Sequence, residues 1–379
     1  MKAIYTNPFV TGGYSGPEFF CDRQSETQHL IKAIRSKRNV TLISLRRMGK
    51  TGLLKHIKHL LDQEKRSIEV IYIDLLPTMN GNDMLNAMAS ALLRAKQHDK
   101  SVFEKLMGLL ASLRPKLGYD QFSGQPSLEL QIQSPADIKL GMGHLLEFIS
   151  GFKRDILFLI DEFQQITWYP EKNMEQLLRT IIQSYPSISF IFSGSNKHML
   201  ETMFSATGRP FYQSAELMYL DTIPEAEYSE FISQKFTSGN KKVSEDAIST
   251  ILKWTRSHTF YVQHTCNLLY ESASDEINIQ LINQTFEYIL NSYEPLFAGY
   301  RKLLPAHQYK LLQAIAVENG IEKPTSGSFI HRYNLTSASS VKGSLKALEE
   351  KEMIVFTGKQ WYVYDVFFAN WLAYHYGGK

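Results

Sequence analysis

Two short groups of residues carry the clearest chemistry in this sequence. One is Gly49-Lys50-Thr51, which ends the stretch Ser44-Leu-Arg-Arg-Met-Gly-Lys-Thr51; the other is the acidic pair Asp161-Glu162. A lysine and a hydroxyl directly after a glycine turn suit a phosphate chain. Backbone N–H groups of the turn cradle the chain, Lys50 reaches its outer phosphates, and the Thr51 hydroxyl offers an oxygen to Mg2+. The run Arg47, Met48, Gly49, Lys50, Thr51 and Gly52 is the candidate cradle. A carboxylate ending a strand can order the shell of that ion, which prefers hard oxygen ligands, and a second one can polarise a water against the terminal phosphate. Asp161 takes the first role and Glu162 the second.

Further candidates surround these groups. Asn196 ends the next apolar run, Ile188 to Asn196, where a polar side chain positions an attacking water; Ser193 and Ser195 compete with it for that place. Arg209 follows in the loop Thr207-Gly-Arg-Pro-Phe211. A guanidinium there either neutralises charge on the γ-phosphate oxygens, in its own chain or a neighbouring copy, or forms a surface ion pair. Arg46 and Arg47 either contact phosphate or pair with nearby acids. One position departs from the full phosphate-loop pattern, which has glycine seven residues before Thr51, where this chain has Ser44.

To position these groups the chain must supply strands that end together. Val40 to Leu45 is an apolar, β-branched strand, and Leu53, Leu54, Ile57, Leu60 and Leu61 recur after the turn at helical spacing. A helix carrying Leu30, Ile31 and Ile34 precedes the strand, capped by Ser25 or by Asp22. Ile68 to Leu76 is a second strand, stopped by Pro77, and Ile156 to Ile160 is a third apolar run leading into the acidic pair. Helices over Met84 to Ala95, Ile138 to Phe152 and Asn173 to Ser184 alternate with them, while Leu128 to Gln133 alternates as a half-exposed strand. This order predicts the α/β class: a P-loop-type parallel sheet with helices on both faces. Ligands of such sheets sit at the carboxyl ends of the strands, where Thr51, Asp161, Glu162 and Asn196 all fall.

Beyond Asp221 the pattern is helical: Glu225 to Phe236, Ser244 to Arg256, Phe260 to Ala273 and Ile279 to Leu290. Near Pro295 it changes again. Helices over His307 to Val317, Ser328 to Tyr333 and Thr336 to Glu350, then a hairpin from Met353 to Tyr364 turning at Gly358-Lys359, predict a winged helix-turn-helix, closed by an aromatic helix. The expected domains are a core over 1–220, a helical lid over 221–297 and a winged helix over 298–379. Lys342 and Lys346, with Ser339, Ser340 and Ser344, give the last long helix a surface for DNA, against which Glu349, Glu350 and Glu352 weigh; a protein contact is the alternative.

Bulk properties narrow the class. The 379 residues are 44% hydrophobic and 21% charged, as in an ordinary globular chain too long for one core. A net charge of +3 is too small to argue for nucleic acid by itself. Two distant cysteines, Cys21 and Cys266, lack metal-ligand spacing and suit a reducing compartment. No apolar run approaches the roughly 20 residues of a membrane helix, and the first residues lack the apolar segment of a signal peptide, so a cytoplasmic protein is expected.

These stretches resemble the archaeal-type ATPases, AAA-like P-loop proteins related to the signal-transduction NTPases. Phe20-Cys-Asp-Arg-Gln-Ser-Glu26 is similar to the family's N-terminal box of an aromatic followed by Arg and Glu. Ser44 to Thr51 is similar to its Arg-Arg-x-Gly-Lys-Thr loop, with Ser44 in place of the usual glycine. Leu159-Ile-Asp-Glu-Phe-Gln164 resembles its Walker B box, Phe192-Ser-Gly-Ser195 with Gly208-Arg209 its sensor strand and downstream arginine, and Ser257 to Gln263 a segment of its lid. The resemblance implies ATP as the nucleotide, dependence on Mg2+, and residues Phe20 to Arg23 near adenine. It also implies an additional-strand sheet in which the Walker B strand flanks the P-loop strand. A homo-oligomer, a protein partner or DNA remain possible associates.

Overall fold

The computed structural model describes residues 7–21, 23–64, 68–95, 100–119, 124–132, 134–152 and 154–377. It divides into two compact units, one over Gly12–Thr222 and one that starts at Ile223 and includes the described residues 7–11.

The first unit is built on five strands: β1 (Val40–Ile43), β2 (Ile68–Asp74), β3 (Asp155–Asp161), β4 (Ile188–Gly194) and β5 (Glu216–Tyr219). They form one parallel sheet in the order β2-β3-β4-β1-β5. Because side chains alternate across a strand, neighbouring residues enter opposite cores. Leu157 and Leu159 pack with Leu30, Ile34, Leu53 and Ile57, on the helices Gln24–Arg35 and Lys50–Gln63. Phe158 and Ile160 pack with Leu85, Leu145 and Ile181, on the helices Gly81–Ala95, Pro135–Ser150 and Met174–Gln183. Covering both faces accounts for the unbroken burial of β1 and β4, and each fully buried Leu or Ile contributes about 1.5–3 kcal/mol.

Three local expectations change. The Walker B strand β3 does not flank the P-loop strand, because the sensor strand β4 lies between them, pairing Ile191 with Val40 on one side and with Leu159 on the other. The helix expected to be capped by Ser25 or Asp22 starts after Arg23, which occupies the cap position itself with a φ of 75°. Ser25 lies within the helix and donates to Glu26, and Asp22 is outside the described residues. The expected strand over Leu128 to Gln133 begins earlier, as Pro126–Glu129, and pairs antiparallel with Lys116–Tyr119; Gln133 is outside the described residues.

The second unit departs from the expected division as well. Its helix Ile279–Leu303 continues through Pro295, so a boundary at 297/298 falls inside one element. The reason is packing: Phe297 is fully buried against Phe368 and Trp371, and one apolar core joins Tyr261 and Ile289 to Leu312, Leu348 and Phe367. Residues 7–11, expected in the core over 1–220, belong here too. The Phe9 ring is buried 4.9 Å from that of Phe236, Asn7 Nδ2 donates to the Asn267 carbonyl at 2.9 Å, and Asn267 Nδ2 donates to the Phe9 carbonyl at 2.8 Å. The winged helix is present as helices Ala306–Val317, Gly327–Arg332 and Ala338–Glu350 with a hairpin of Ile354–Thr357 and Gln360–Val363. Gly358 and Lys359 turn the hairpin with φ of 57° and 71°, the two positive values a tight two-residue hairpin loop requires.

Candidate nucleotide site

The turn after β1 is shaped by two left-handed residues, Arg47 with φ of 63° and Gly49 with φ of 93°. Successive N–H groups in such a turn point to one side and make an anion-binding concavity. Gly49 also opens the helix Lys50–Gln63, whose first N–H groups, those of Lys50, Thr51 and Gly52, need acceptors from outside the helix. Met48 is buried within the turn, and its carbonyl accepts from Arg23 Nη2 at 3.3 Å. Arg23 is itself buried and pairs with Glu26 at 2.7 Å, so the N-terminal box is fastened to the phosphate turn.

The Phe20 ring reaches the same helix. A Cβ placed on Gly52 would lie 3.6 Å from it, and the ring stacks on His56 at 4.4 Å. Tyr14 completes this cluster with a 3.0 Å hydrogen bond between its hydroxyl and His56 Nδ1. Burial, followed by the neighbouring His59, holds His56 below the usual imidazole range. Burial also pushes the Tyr14 phenol up to about 12.

Asp161 is the most enclosed acid of the site, 2% exposed, and four donors converge on it. Its Oδ2 accepts from Thr51 Oγ1 at 2.6 Å and from the Tyr72 hydroxyl at 3.2 Å. Its Oδ1 accepts from Ser193 Oγ at 2.5 Å and from the Glu162 N–H at 3.1 Å. A carboxylate so solvated by fixed donors is kept in place without water. Glu162, in the left-handed region with φ of 53°, turns its Oε2 to Ser195, accepting from Ser195 N at 3.2 Å and Ser195 Oγ at 2.8 Å. The same oxygen accepts from Gln164 Nε2 at 2.5 Å. Gln164 is buried, and glycine at 194 is what admits it, since a Cβ there would lie 1.8 Å from Gln164 Oε1.

Lys50 is buried and lies within the turn, its Nζ donating to Ser44 Oγ at 3.1 Å, the Leu45 carbonyl at 3.1 Å and the Ser44 carbonyl at 3.4 Å. Burial holds its ammonium below the usual lysine range, and the charges of Glu162 and Asp161 pull the other way.

Sequence and structure therefore agree on Lys50, Thr51, Asp161 and Glu162 as one cluster, with Phe20 and Arg23 beside the turn. For two further candidates the contacts are those of the alternatives the sequence left open. Asn196 Oδ1 caps the helix Lys197–Ser205 by accepting from Met199 N at 3.0 Å, and the sensor-strand hydrogen bonds to the acids come from Ser193 and Ser195. Arg209 is ion-paired with Glu175, at the start of the helix Met174–Gln183. Sequence reading missed Tyr72 altogether. Its phenol is pushed up by burial and by Asp161, and its alternation within β2 was the available signal. It also missed Asp74, at the end of β2, where burial and the charges of Asp161 and Glu162 raise the carboxyl above its usual range.

Residues 33–203 match the AAA domain family, and residues 295–374 match a probable winged helix domain family. The matches and the fold agree on an AAA-type α/β domain over residues 33–203 followed by a winged helix domain over 295–374. The chain's fold is similar to that of a Walker-type ATPase of Pyrococcus abyssi, with a TM-score of 0.66 and 17% identity over 96% of this chain and 99% of that one. The ORC2 protein of Aeropyrum pernix, in ADPNP and ADP complexes, shares the fold with a TM-score of 0.57 and 14% identity over 97% and 98% of the two chains. No curated protein matches the chain by sequence. Among the described residues no helix is long and apolar enough to cross a membrane.

Proposed function

We propose that the protein binds ATP with Mg2+ and hydrolyses it to ADP and phosphate, and that nucleotide state is passed to the winged helix. One observation carries this reading: Thr51 Oγ1 donates to Asp161 Oδ2 at 2.6 Å, with Glu162 the next residue at the same strand end. Because the Thr51 hydroxyl points its hydrogen at Asp161, its lone pairs face away and suit a cation, and hydroxyl and carboxylate oxygens are the hard donors that suit Mg2+. Bound there, Mg2+ supplies charge neutralisation at the phosphates. The turn from Arg47 to Gly52 binds the phosphate chain, Lys50 meets its outer oxygens, and Phe20 and Arg23 flank the adenine.

In hydrolysis, water attacks the γ-phosphorus, the bond to the β–γ bridging oxygen breaks, and the water proton passes to Glu162. Ser195 and Gln164 hold Glu162 through Oε2, and Oε1, which has no partner among the described residues, is the proton acceptor. Asn196 has its Oδ1 committed to the cap of the helix Lys197–Ser205, and Arg209, tied to Glu175, enters once that pair opens. The test is Mg·ATP turnover of wild type against Glu162→Gln. Equal rates remove the role of Glu162, and absence of ATP binding removes the whole reading.

Lys342 and Lys346, both exposed on the helix Ala338–Glu350, favour a second reading in which the nucleotide controls duplex DNA binding. Salt-dependent binding weakened by Lys342→Ala and Lys346→Ala supports it, and no duplex binding at low salt removes it. A protein partner, little turnover and a homo-oligomer are the remaining alternatives for the same module. A cytoplasmic setting accords with Cys21 and Cys266, which are buried and not disulfide-bonded.

A further inference from the structure

From the contacts of the phosphate turn we infer that the Ser44 hydroxyl is a latch on Lys50, which holds the ammonium inside the turn in competition with the outer phosphates of the nucleotide. This inference rests on the ATP-binding reading above. Ser44 is 4% exposed and its backbone is outside the left-handed region, so the position does not itself require glycine. Its Oγ donates to the Leu45 carbonyl at 2.8 Å, which orients the oxygen lone pairs, and it accepts from Lys50 Nζ at 3.1 Å. The two other acceptors of Lys50 are the carbonyls of Ser44 and Leu45, which any residue at these positions provides. The hydroxyl is therefore the one part of this arrangement that the choice of serine adds.

A hydrogen bond from a buried ammonium is stronger than one between neutral groups. Lys50 cannot keep all three acceptors and also turn its N–H groups to a phosphate chain. Phosphate binding thus has to displace the Ser44 contact, and the contact lowers affinity only for nucleotides with phosphates that Lys50 reaches. Ser44 acts through Lys50 and is a positioning residue.

The test is displacement of a fluorescent ATP analogue from the full chain by ATP and, separately, by AMP, for wild type, Ser44→Ala and Ser44→Gly. Both variants are expected to bind ATP about tenfold more tightly, from the loss of one charge-assisted hydrogen bond in the competing state. AMP affinity is expected to be unchanged, which a general effect on the turn would not produce. ATP affinity that is unchanged or weaker in both variants, or a parallel change for AMP, overturns the latch while leaving the ATP reading intact. Failure of wild type and variants alike to bind the analogue or ATP overturns the ATP reading and the latch with it.

Discussion

The phosphate turn and the helix Ala338–Glu350 use the same materials, lysines and serines, in opposite settings. Lys50 is 5% exposed and has three oxygen acceptors, and the serines facing the acids, Ser193 and Ser195, are committed to Asp161 and Glu162. Lys346 is 81% exposed on its side chain, and its ion pair is a 4.0 Å approach to Glu350 one helical turn away. Burial makes the first group an organised site, in which each charge is strong because it is dry and each donor is already aimed. Exposure makes the second a screened surface whose pull on any partner fades with salt. Residue type is shared; the dielectric around it differs.

Five measurements break or sharpen that contrast. Lys50→Ala is expected to weaken ATP binding roughly 1,000-fold in calorimetry, the cost of about 4 kcal/mol for truncating one partner of a buried, hydrogen-bonded charge pair. Glu162→Gln is expected to retain ATP binding while turnover falls about 100-fold or more, the range for a lost general base. In Tyr72→Phe, Asp161 loses one of its four donors, and urea unfolding is expected to show a loss of about 1–2 kcal/mol.

A pH titration probes a half-buried acid in the winged-helix unit. Hydrogen bonds from the Tyr333 hydroxyl and from Arg332 hold Glu318 below its ordinary 4.5. A depressed folded-state value adds stability above the unfolded value and loses it as pH falls through the folded one. Glu318→Gln is therefore expected to flatten a small loss of thermal stability on the acid side of pH 4.5 and to leave pH 7–8 unaltered in slope. Lys346→Ala is expected to change stability by less than about 0.5 kcal/mol in the same unfolding assay, as for other exposed ion pairs. A loss as large as that of Tyr72→Phe would show that the surface helix is organised like the phosphate turn.

Much of the nucleotide site was legible because its parts are local. Gly49, Lys50 and Thr51 are consecutive, and a strand before them with an amphipathic helix after them leaves few alternatives for the turn. Asp161 and Glu162 were legible for a related reason: an apolar run that ends in two acids places them at a strand end. The surrounding donors were not legible. Thr51 and Tyr72 stand 110 and 89 positions from Asp161, and the crossovers of a parallel sheet bring them together. Asn196 and Ser195 are adjacent polar residues at the same strand end, and only the backbone's departure into the helix Lys197–Ser205 gave the cap to one and Glu162 to the other.

By itself, then, the sequence determined the alternation of strands and helices, the glycine turn, the acidic strand end and the winged helix, all of them set by periodicity and turn chemistry within a few residues. Tertiary structure decided the strand order with β4 between β1 and β3, the four donors on Asp161, the pairing of Arg209 with Glu175 and the place of Phe9 among the aromatics of the helical unit. Those outcomes depend on which distant surfaces bury each other best and which buried polar atoms must find partners, and a one-dimensional pattern does not encode either directly.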